Sequence, residues 1–182
     1  MDEFIRSHTP LLLVYAHQFL SADGRDLYGC EEAIRLLKRL TPRWPQAGLL
    51  LLCSLPNQAG GSRRLQELID ISLREGVNAR CFWQLAAVPS VAPLLARCAL
   101  YLRPTLADGD SVLVREALAA GCNVVASDAS SRPDGAHTYV LHDSRDLDRV
   151  VNEVLSTPRR DIHAQFDTFA AMRRVYWAAA SI

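Results

Sequence analysis

Short apolar runs alternate with amphipathic stretches along most of this chain, and that alternation limits the folds open to it. Residues 11–16 and 49–54 are almost wholly apolar, while residues 31–40 and 63–74 repeat their apolar side chains with a helical period. Alternating strands and helices build a parallel sheet with helices on its faces. The pattern predicts an α/β fold, a single Rossmann-like domain with a parallel sheet of about six strands flanked by helices, plus a long C-terminal helix.

The same patterns continue over the rest of the chain, whose length suits one domain. Further strands are predicted at residues 78–83, 99–102, 123–127 and 139–141. Further helices are predicted at residues 91–96, 110–120 and about 144–155. We therefore divide the chain into a linker remnant at residues 1–9, a Rossmann-like domain at residues 10–157, and a C-terminal helix at residues 158–182.

Composition narrows the classes of function. The 182 residues carry a formal net charge of +0 and are 49% hydrophobic, which argues against a nucleic-acid partner and against disorder. The sequence contains no secretory signal and no apolar run near the roughly 20 residues that a membrane span requires. We therefore expect a protein with no membrane span.

The cysteines indicate a reducing compartment. There are five, they form no C-x-x-C pair, and most fall in or beside apolar runs. Such cysteines usually serve as small core residues in reduced form, so we expect a cytoplasmic location. The histidines lack the spacing of metal ligands, and no metal site is expected.

A polar loop at residues 108–111 (Asp-Gly-Asp-Ser) separates a buried strand from the next helix. In open α/β sheets, ligands bind in the crevice where the carboxyl end of a strand meets the amino end of a helix. Asp110 is the expected N-cap, and the N–H groups from Gly109 to Val112 would face an anion or a hydroxyl. Glu116 lies in the second turn of the predicted helix, and we expect its side chain on the side that faces this crevice. The arrangement suits a phosphate-bearing, polyhydroxylated ligand such as a nucleotide sugar.

Residues 104–128 resemble the donor-site segment of the retaining GT-B glycosyltransferases. That family has two acidic residues separated by seven others, in the form E-G-x-G…E-A-x-A-x-G-x-P-V-V-A, and Asp108 and Glu116 stand at the two acidic positions. The other matching positions are Gly109, Ala117, Ala119, Gly121, Val124 and Val125. From about residue 10 to about residue 155, the order of elements also resembles the C-terminal, nucleotide-sugar-binding domain of that family.

The resemblance implies a role for each matching residue. Asp108 is implied as the catalytic-site acid that holds hydroxyls of the donor sugar, and Glu116 as the residue that binds the nucleotide ribose. The donor is also implied to contact the loop at Gly109, Asp110, Ser111 and Val112. The nucleobase is implied to lie beside Trp83, Gln84 and Leu85. The donor substrate would be a nucleoside-diphosphate sugar, and no separate cofactor is implied.

The chain departs from that family at three points. Asp108 stands where the family commonly has Glu, with a reach shorter by one methylene. After the first strand, the family has an Arg and a Lys-Gly pair that clamp the diphosphate, whereas this chain has His17 and Tyr28 near those places, with Arg25 as a candidate substitute. The chain also equals about half of a two-domain enzyme. We therefore expect a missing N-terminal domain as a partner, and no activity from this half alone.

Two other functions remain open from the sequence. A non-catalytic interaction module would bind a partner, or form a homodimer, through the aromatic-rich helix at residues 158–182. A fragment of a nucleotide-sugar epimerase has the same architecture but fits the acidic spacing less well. The loop at residues 128–135 (Asp-Ala-Ser-Ser-Arg-Pro-Asp-Gly) either closes over the ligand or forms an ordinary turn.

Overall fold

Six parallel strands form the central sheet in a computed structural model of the protein, which describes residues 1–22, 24–56, 61–109 and 111–157. The described strands are β1 Leu11–Ala16, β2 Ser21–Ala22, β3 Arg25–Asp26, β4 Gly48–Cys53, β5 Cys81–Gln84, β6 Leu100–Arg103, β7 Asn123–Ser127 and β8 His137–Tyr139. Within the large sheet the order is β5-β4-β1-β6-β7-β8, while β2 and β3 pair as a small antiparallel hairpin. The predicted fold class is confirmed.

Helices cover both faces of this sheet. The described helices are α1 Asp2–Ser7, α2 Cys30–Leu40, α3 Gly61–Arg74, α4 Ala92–Leu95, α5 Val112–Ala119 and α6 Ser144–Ser156. Apolar side chains of α2, α3 and α6 form one core layer, and those of α1, α4 and α5 form the layer on the opposite face. Burial on both faces explains why β1 and β4 read as continuous apolar runs.

The strand order reverses between β1 and β6. From β1 the chain passes through α2 to β4 on one side, whereas β6, β7 and β8 extend the sheet on the other side. Leu12 of β1 lies in register with Leu100 of β6, so the carboxyl ends of the two strands are neighbours. Loops that leave neighbouring strands towards opposite faces leave a crevice between them, the usual ligand site of such sheets.

The first residues of the chain differ from the prediction of a linker. Residues 2–7 form α1, whose Ile5 is buried in the core layer shared with α4 and α5. Phe4 stacks on His8 with ring centroids 4.0 Å apart and contacts Phe82 of β5 at 5.5 Å. Helix α1 therefore packs as part of the domain.

Two strand boundaries also differ from the predictions. The strand predicted at residues 78–83 begins at Cys81, because residues 78–80 form a 3₁₀ turn. The strand predicted at residues 139–141 lies at His137–Tyr139. It ends there because the N–H groups of Val140 and Leu141 donate to aspartate side chains rather than to a neighbouring strand. The helix predicted at residues 158–182 lies outside the described residues.

The cysteine prediction is confirmed in its structural part. All five cysteines are buried and free, and burial raises the pKa of the Cys81 thiol to about 12. Among the described residues, no helix is both long and apolar enough to cross a membrane.

Candidate functional site at the strand-order reversal

Arg103, the last residue of β6, occupies the crevice where the strand order reverses. Its Nη1 donates to the carbonyl oxygen of Tyr15 on β1 at 3.3 Å, which ties the two strands together at their carboxyl ends. Its guanidinium carbon lies 5.6 Å from the ring centroid of Tyr28, within the range of a cation–π contact. The guanidinium is therefore held between β1, β6 and the loop that leads into α2.

Asp108 completes a two-point ion pair with this guanidinium. Arg103 Nε donates to Asp108 Oδ2 at 2.9 Å and Arg103 Nη2 donates to Asp108 Oδ1 at 3.0 Å. The Asp108 side chain is only 9% exposed and that of Arg103 only 11%. Such a fork-shaped pair fixes orientation as well as charge, because two parallel bonds define a plane.

A second arginine reaches the same carboxylate from the loop between β7 and β8. Arg132 Nη1 donates to Asp108 Oδ2 at 2.7 Å, and the Arg132 side chain is 3% exposed. Its other nitrogens donate to the carbonyl and hydroxyl oxygens of Ser127 and to the Thr105 hydroxyl. Ser127 in turn donates to the Thr105 carbonyl at 2.7 Å. Arg132 thus connects the loop at residues 128–135 to the loop that contains Asp108.

The electrostatics of this cluster keep the carboxylate ionised. Burial disfavours the charged form of Asp108, but hydrogen bonds and charge from Arg103 and Arg132 outweigh burial and lower its pKa below 3.8. Burial likewise opposes the charge of Arg103, and Asp108 more than offsets this and raises the Arg103 pKa. Asp108 is therefore an ionised carboxylate shared by two guanidinium groups.

The start of α5 differs in one detail from the prediction. The N-cap position is Ser111, with Val112 as the first helical residue, whereas Asp110 had been the expected cap and lies outside the described residues. Ser111 makes no side-chain capping bond. Val112 is 64% exposed and Gly109 is exposed as well. The beginning of α5 therefore faces open space beside the Asp108 cluster.

Glu116 lies one turn further along α5 and is half-buried. No hydrogen bond or ion pair engages its carboxylate among the residues that the structure describes. Val114 and Ala117 of the same helix are fully buried against the sheet and anchor α5 there. Glu116 thus offers an unpaired acceptor on a fixed helix.

The loop after β1 and its hairpin carry three candidate residues, His17, Arg25 and Tyr28. His17 is exposed at the end of β1. Arg25, on the hairpin strand β3, contacts His142 with 3.3 Å between Nη1 and Nε2. It borders a groove of about 500 Å³ between the hairpin, α2, the start of α6 and the beginning of the β6–α5 loop at Pro104 and Leu106. Of the two positions that resemble the family's cation clamp, Tyr28 contacts the Asp108 cluster through Arg103.

The residues predicted beside the nucleobase lie at the end of β5 and directly after it. Trp83 packs against the core layer of α2, α3 and α6, whereas its neighbour Phe82 packs against the layer that holds α5. Leu85 follows β5 and is 36% exposed. Gln84 is engaged locally, donating to the Ala86 carbonyl at 3.2 Å.

Among the described residues, Asp108, Gly109, Ser111 and Glu116 thus lie on one loop–helix segment. The Trp83 side chain lies on the sheet face opposite α5, and Arg25 borders a groove that Pro104 and Leu106 also line. The roles predicted for all these residues stay predictions. Sequence reasoning missed Arg103 and did not assign a contact to Arg132. One signal was present, because Arg103 is a cation at the carboxyl end of a strand that is otherwise apolar.

The strand order and the crevice define the class of fold, a doubly wound Rossmann-type α/β domain with its candidate site at the reversal of strand order. No protein-family model and no curated protein sequence matches the chain. The similarities that exist are to solved structures, at low sequence identity.

Three of these structures illustrate the similarity. A trehalose-6-phosphate synthase from Burkholderia multivorans is 15% identical, with a TM-score of 0.71 over 98% of this chain and 45% of that chain. WaaG, a glycosyltransferase involved in lipopolysaccharide biosynthesis, is 16% identical, with a TM-score of 0.66 over 86% of this chain and 40% of its own. HepE of Anabaena, in complex with UDP, is 16% identical, with a TM-score of 0.70 over 100% of this chain and 51% of its own.

These structures are GT-B glycosyltransferases, and this chain shares their fold. It spans about half of their length or less.

Proposed function

We propose that this chain is the nucleotide-sugar-binding half of a retaining glycosyltransferase, which transfers a sugar from a nucleoside-diphosphate sugar to a glycan or lipid-linked acceptor. The observation that carries the proposal is the Glu116 carboxylate, which has no partner among the described residues and lies on α5, the helix that follows β6 at the strand-order reversal. A carboxylate accepts hydrogen bonds from two neighbouring hydroxyls, and a ribose supplies such a pair. The fold shared with glycosyltransferases supports the same conclusion.

In this proposal Asp108 accepts a hydrogen bond from the donor sugar, but only one of its two oxygens is available for it. Its Oδ2 already accepts from Arg103 and Arg132, with the Thr105 hydroxyl at 3.4 Å. Its Oδ1 accepts only from Arg103 among the described residues. Since a carboxylate oxygen has two acceptor positions, Oδ1 retains one for a sugar hydroxyl. Asp108 thus acts as a single acceptor held rigidly by two arginines.

In this proposal, transfer of the sugar to an acceptor also requires groups that lie outside this chain. The similar structures extend well beyond the matched region, since the chain covers 40–51% of the three described above. We therefore propose that a further domain provides the acceptor site and closes over the donor. The isolated chain would bind the donor without turnover, and the nucleotide sugar is its substrate ligand.

Thermal unfolding with a panel of ligands tests this function. UDP, GDP or ADP, or the corresponding nucleotide sugar, is expected to raise the Tm of the chain, because a ligand that binds only the folded state stabilises it by mass action. Glu116→Ala is expected to abolish that shift. Glu153→Ala is the matched control, since Glu153 is an exposed helical glutamate on α6, paired with Arg149, and its loss should leave the shift intact.

The outcomes separate the functions considered. If none of the three nucleotides or their sugars shifts the Tm, the proposal is wrong. Stable self-association without nucleotide binding would then favour an interaction module instead.

A further inference from the structure

The crevice at the strand-order reversal contains a guanidinium, and we propose that Arg103 is the residue that binds the diphosphate of the donor. This inference rests on the proposed function and adds to it the source of positive charge. It also assigns Asp108 a further role, as the positioning residue that holds Arg103 in place.

The first support is location. Arg103 ends β6 and its Nη1 bonds to the Tyr15 carbonyl on β1, so the guanidinium bridges the two strands between which the sheet order reverses. The diphosphate of a nucleotide bound in such a sheet lies at this edge, beside the amino end of the following helix. Helix α5 begins at Val112, nine residues after Arg103.

The second support is preorganisation. Asp108 holds the guanidinium in plane through two bonds of 2.9 and 3.0 Å, and the Tyr28 ring lies 5.6 Å from its central carbon. A fixed guanidinium loses little side-chain entropy when it binds an anion, and its planar fork matches phosphate oxygens. The arrangement has the rigidity that a phosphate-binding residue requires.

The third support is remaining donor capacity. A guanidinium has five N–H groups; two donate to Asp108 and one to the Tyr15 carbonyl. The Tyr101 hydroxyl lies against the guanidinium and accounts for one more at most. At least one N–H group of Arg103 thus has no acceptor among the described residues. Arg103 is also more exposed than Arg132, at 11% against 3%.

The fourth support is charge. Burial opposes the charge of Arg103, but the hydrogen bond and charge of Asp108 raise its pKa, so the guanidinium stays positive. The resemblance to GT-B enzymes implies cations in the loop after β1, where this chain has His17 and Tyr28. Because the Tyr28 ring packs on Arg103, the guanidinium reaches this region from β6 instead.

The test compares a ligand that carries the diphosphate with one that lacks it. Dissociation constants of UDP and uridine, or of the nucleotide and nucleoside selected by the Tm panel, are measured by ligand-observed NMR on the full chain. We expect Arg103→Gln to weaken UDP about 10- to 100-fold, the range of a hydrogen bond to a charged group, while uridine changes less than about twofold.

Arg132→Gln is the matched control. The substitution removes one of the two guanidinium groups that contact Asp108, but the side chain it changes is almost completely buried. We expect it to lower the Tm while the ratio of uridine to UDP dissociation constants stays within about threefold of the unmodified chain, because Arg103 retains its two bonds to Asp108.

Every outcome bears on the inference. If Arg103→Gln leaves the uridine-to-UDP ratio unchanged, or if Arg132→Gln lowers it as much, Arg103 is not the phosphate-binding residue. Should Arg103→Gln fail to fold, Arg103→Lys serves instead. Lysine keeps the charge but not the fork, and we expect a loss of about fivefold or more for UDP alone; unchanged UDP affinity would overturn the inference. An unmodified chain that binds no nucleotide contradicts the proposed function itself.

Discussion

The loops that follow β1 and β6 leave neighbouring strands at the same edge of the sheet, yet they are built in opposite ways. The loop after β1 carries an exposed His17 and an exposed hairpin, where Arg25 meets His142. The loop after β6 begins with Arg103 and folds over a carboxylate that two arginines hold almost out of solvent. The rigid charge at the crevice thus comes from the β6 side.

This difference indicates that the two loops contribute differently to ligand binding. A guanidinium that is buried and fixed is ready to bind an anion, whereas an exposed side chain must be ordered first. The two loops nevertheless meet, because Gly29 lies directly against Pro104 and Tyr28 packs on Arg103. The β1 loop supplies shape to the crevice and the β6 loop supplies charge.

Removal of Arg132 should produce the largest loss of stability. Arg132→Ala leaves the buried Asp108 carboxylate with one cation instead of two, and breaking a buried pair costs about 3–5 kcal/mol. Urea denaturation measures the change. Arg149→Ala is the control, because Arg149 is 58% exposed and solvent screens its ion pairs, so its removal should change the free energy of unfolding far less. Equal effects of the two substitutions would mean that the Asp108 cluster is no more than a surface ion pair.

Gly29→Ala tests the contact between the two loops. Gly29 has φ +68°, and a Cβ there would collide with the carbonyl oxygen and ring of Pro104. We expect a loss of about 2–3 kcal/mol, of which roughly 1–2 kcal/mol is the cost of the left-handed backbone. Gly76→Ala isolates that backbone cost, since Gly76 has φ +71° and open space around it. If both variants lose the same free energy of unfolding, the two loops are not in contact.

The pH dependence of Asp108→Asn tests the charge of the cluster. The folded-state pKa of Asp108 lies below 3.8, so its stabilising contribution is fully present above that pH and is lost as the pH falls through the folded pKa. We expect Asp108→Asn to be less stable by about 2 kcal/mol at neutral pH. The difference should shrink below pH 3.8. A difference that is independent of pH would contradict an ionised carboxylate.

The smallest effect is expected at Arg25. Its side chain is exposed and contacts a histidine, not a carboxylate. Arg25→Ala should change the free energy of unfolding by less than about 0.5 kcal/mol, and the UDP dissociation constant by less than about twofold. A tenfold loss of UDP affinity would instead assign the phosphate-binding cation to the β1 loop.

The fold could be predicted from the sequence because apolar runs and helical periods are local features of the chain. Apolar runs such as 11–16 and the helical periods between them specify a parallel sheet whatever the distant contacts are. The end of β8 could not be predicted this way, because carboxylates from Asp128 and Asp146 cap the strand at Tyr139. Tertiary hydrogen bonds of this kind produce no periodic pattern of residues in the sequence.

The candidate site was predictable in part for the same reason. The loop at residues 108–111 and Glu116 lie on one strand–loop–helix segment, so their proximity follows from the chain itself. Arg132 stands 24 positions from Asp108, and only the pairing of β6 with β7 brings the two together. The position of the Trp83 side chain depends on a different strand, since alternation along β5 directs it to the face opposite α5.

The most direct test of the account is to locate the nucleotide by NMR on the isotope-labelled chain, titrated with UDP or with the nucleotide that raises its Tm. We predict that the perturbed backbone signals cluster at Arg103, Gly109, Ser111 and Glu116, around the β6–α5 loop. Perturbations confined to Arg25, Asp26 and His142, with Gly109, Ser111 and Glu116 unchanged, would contradict the claim that the crevice at the strand-order reversal is the donor site.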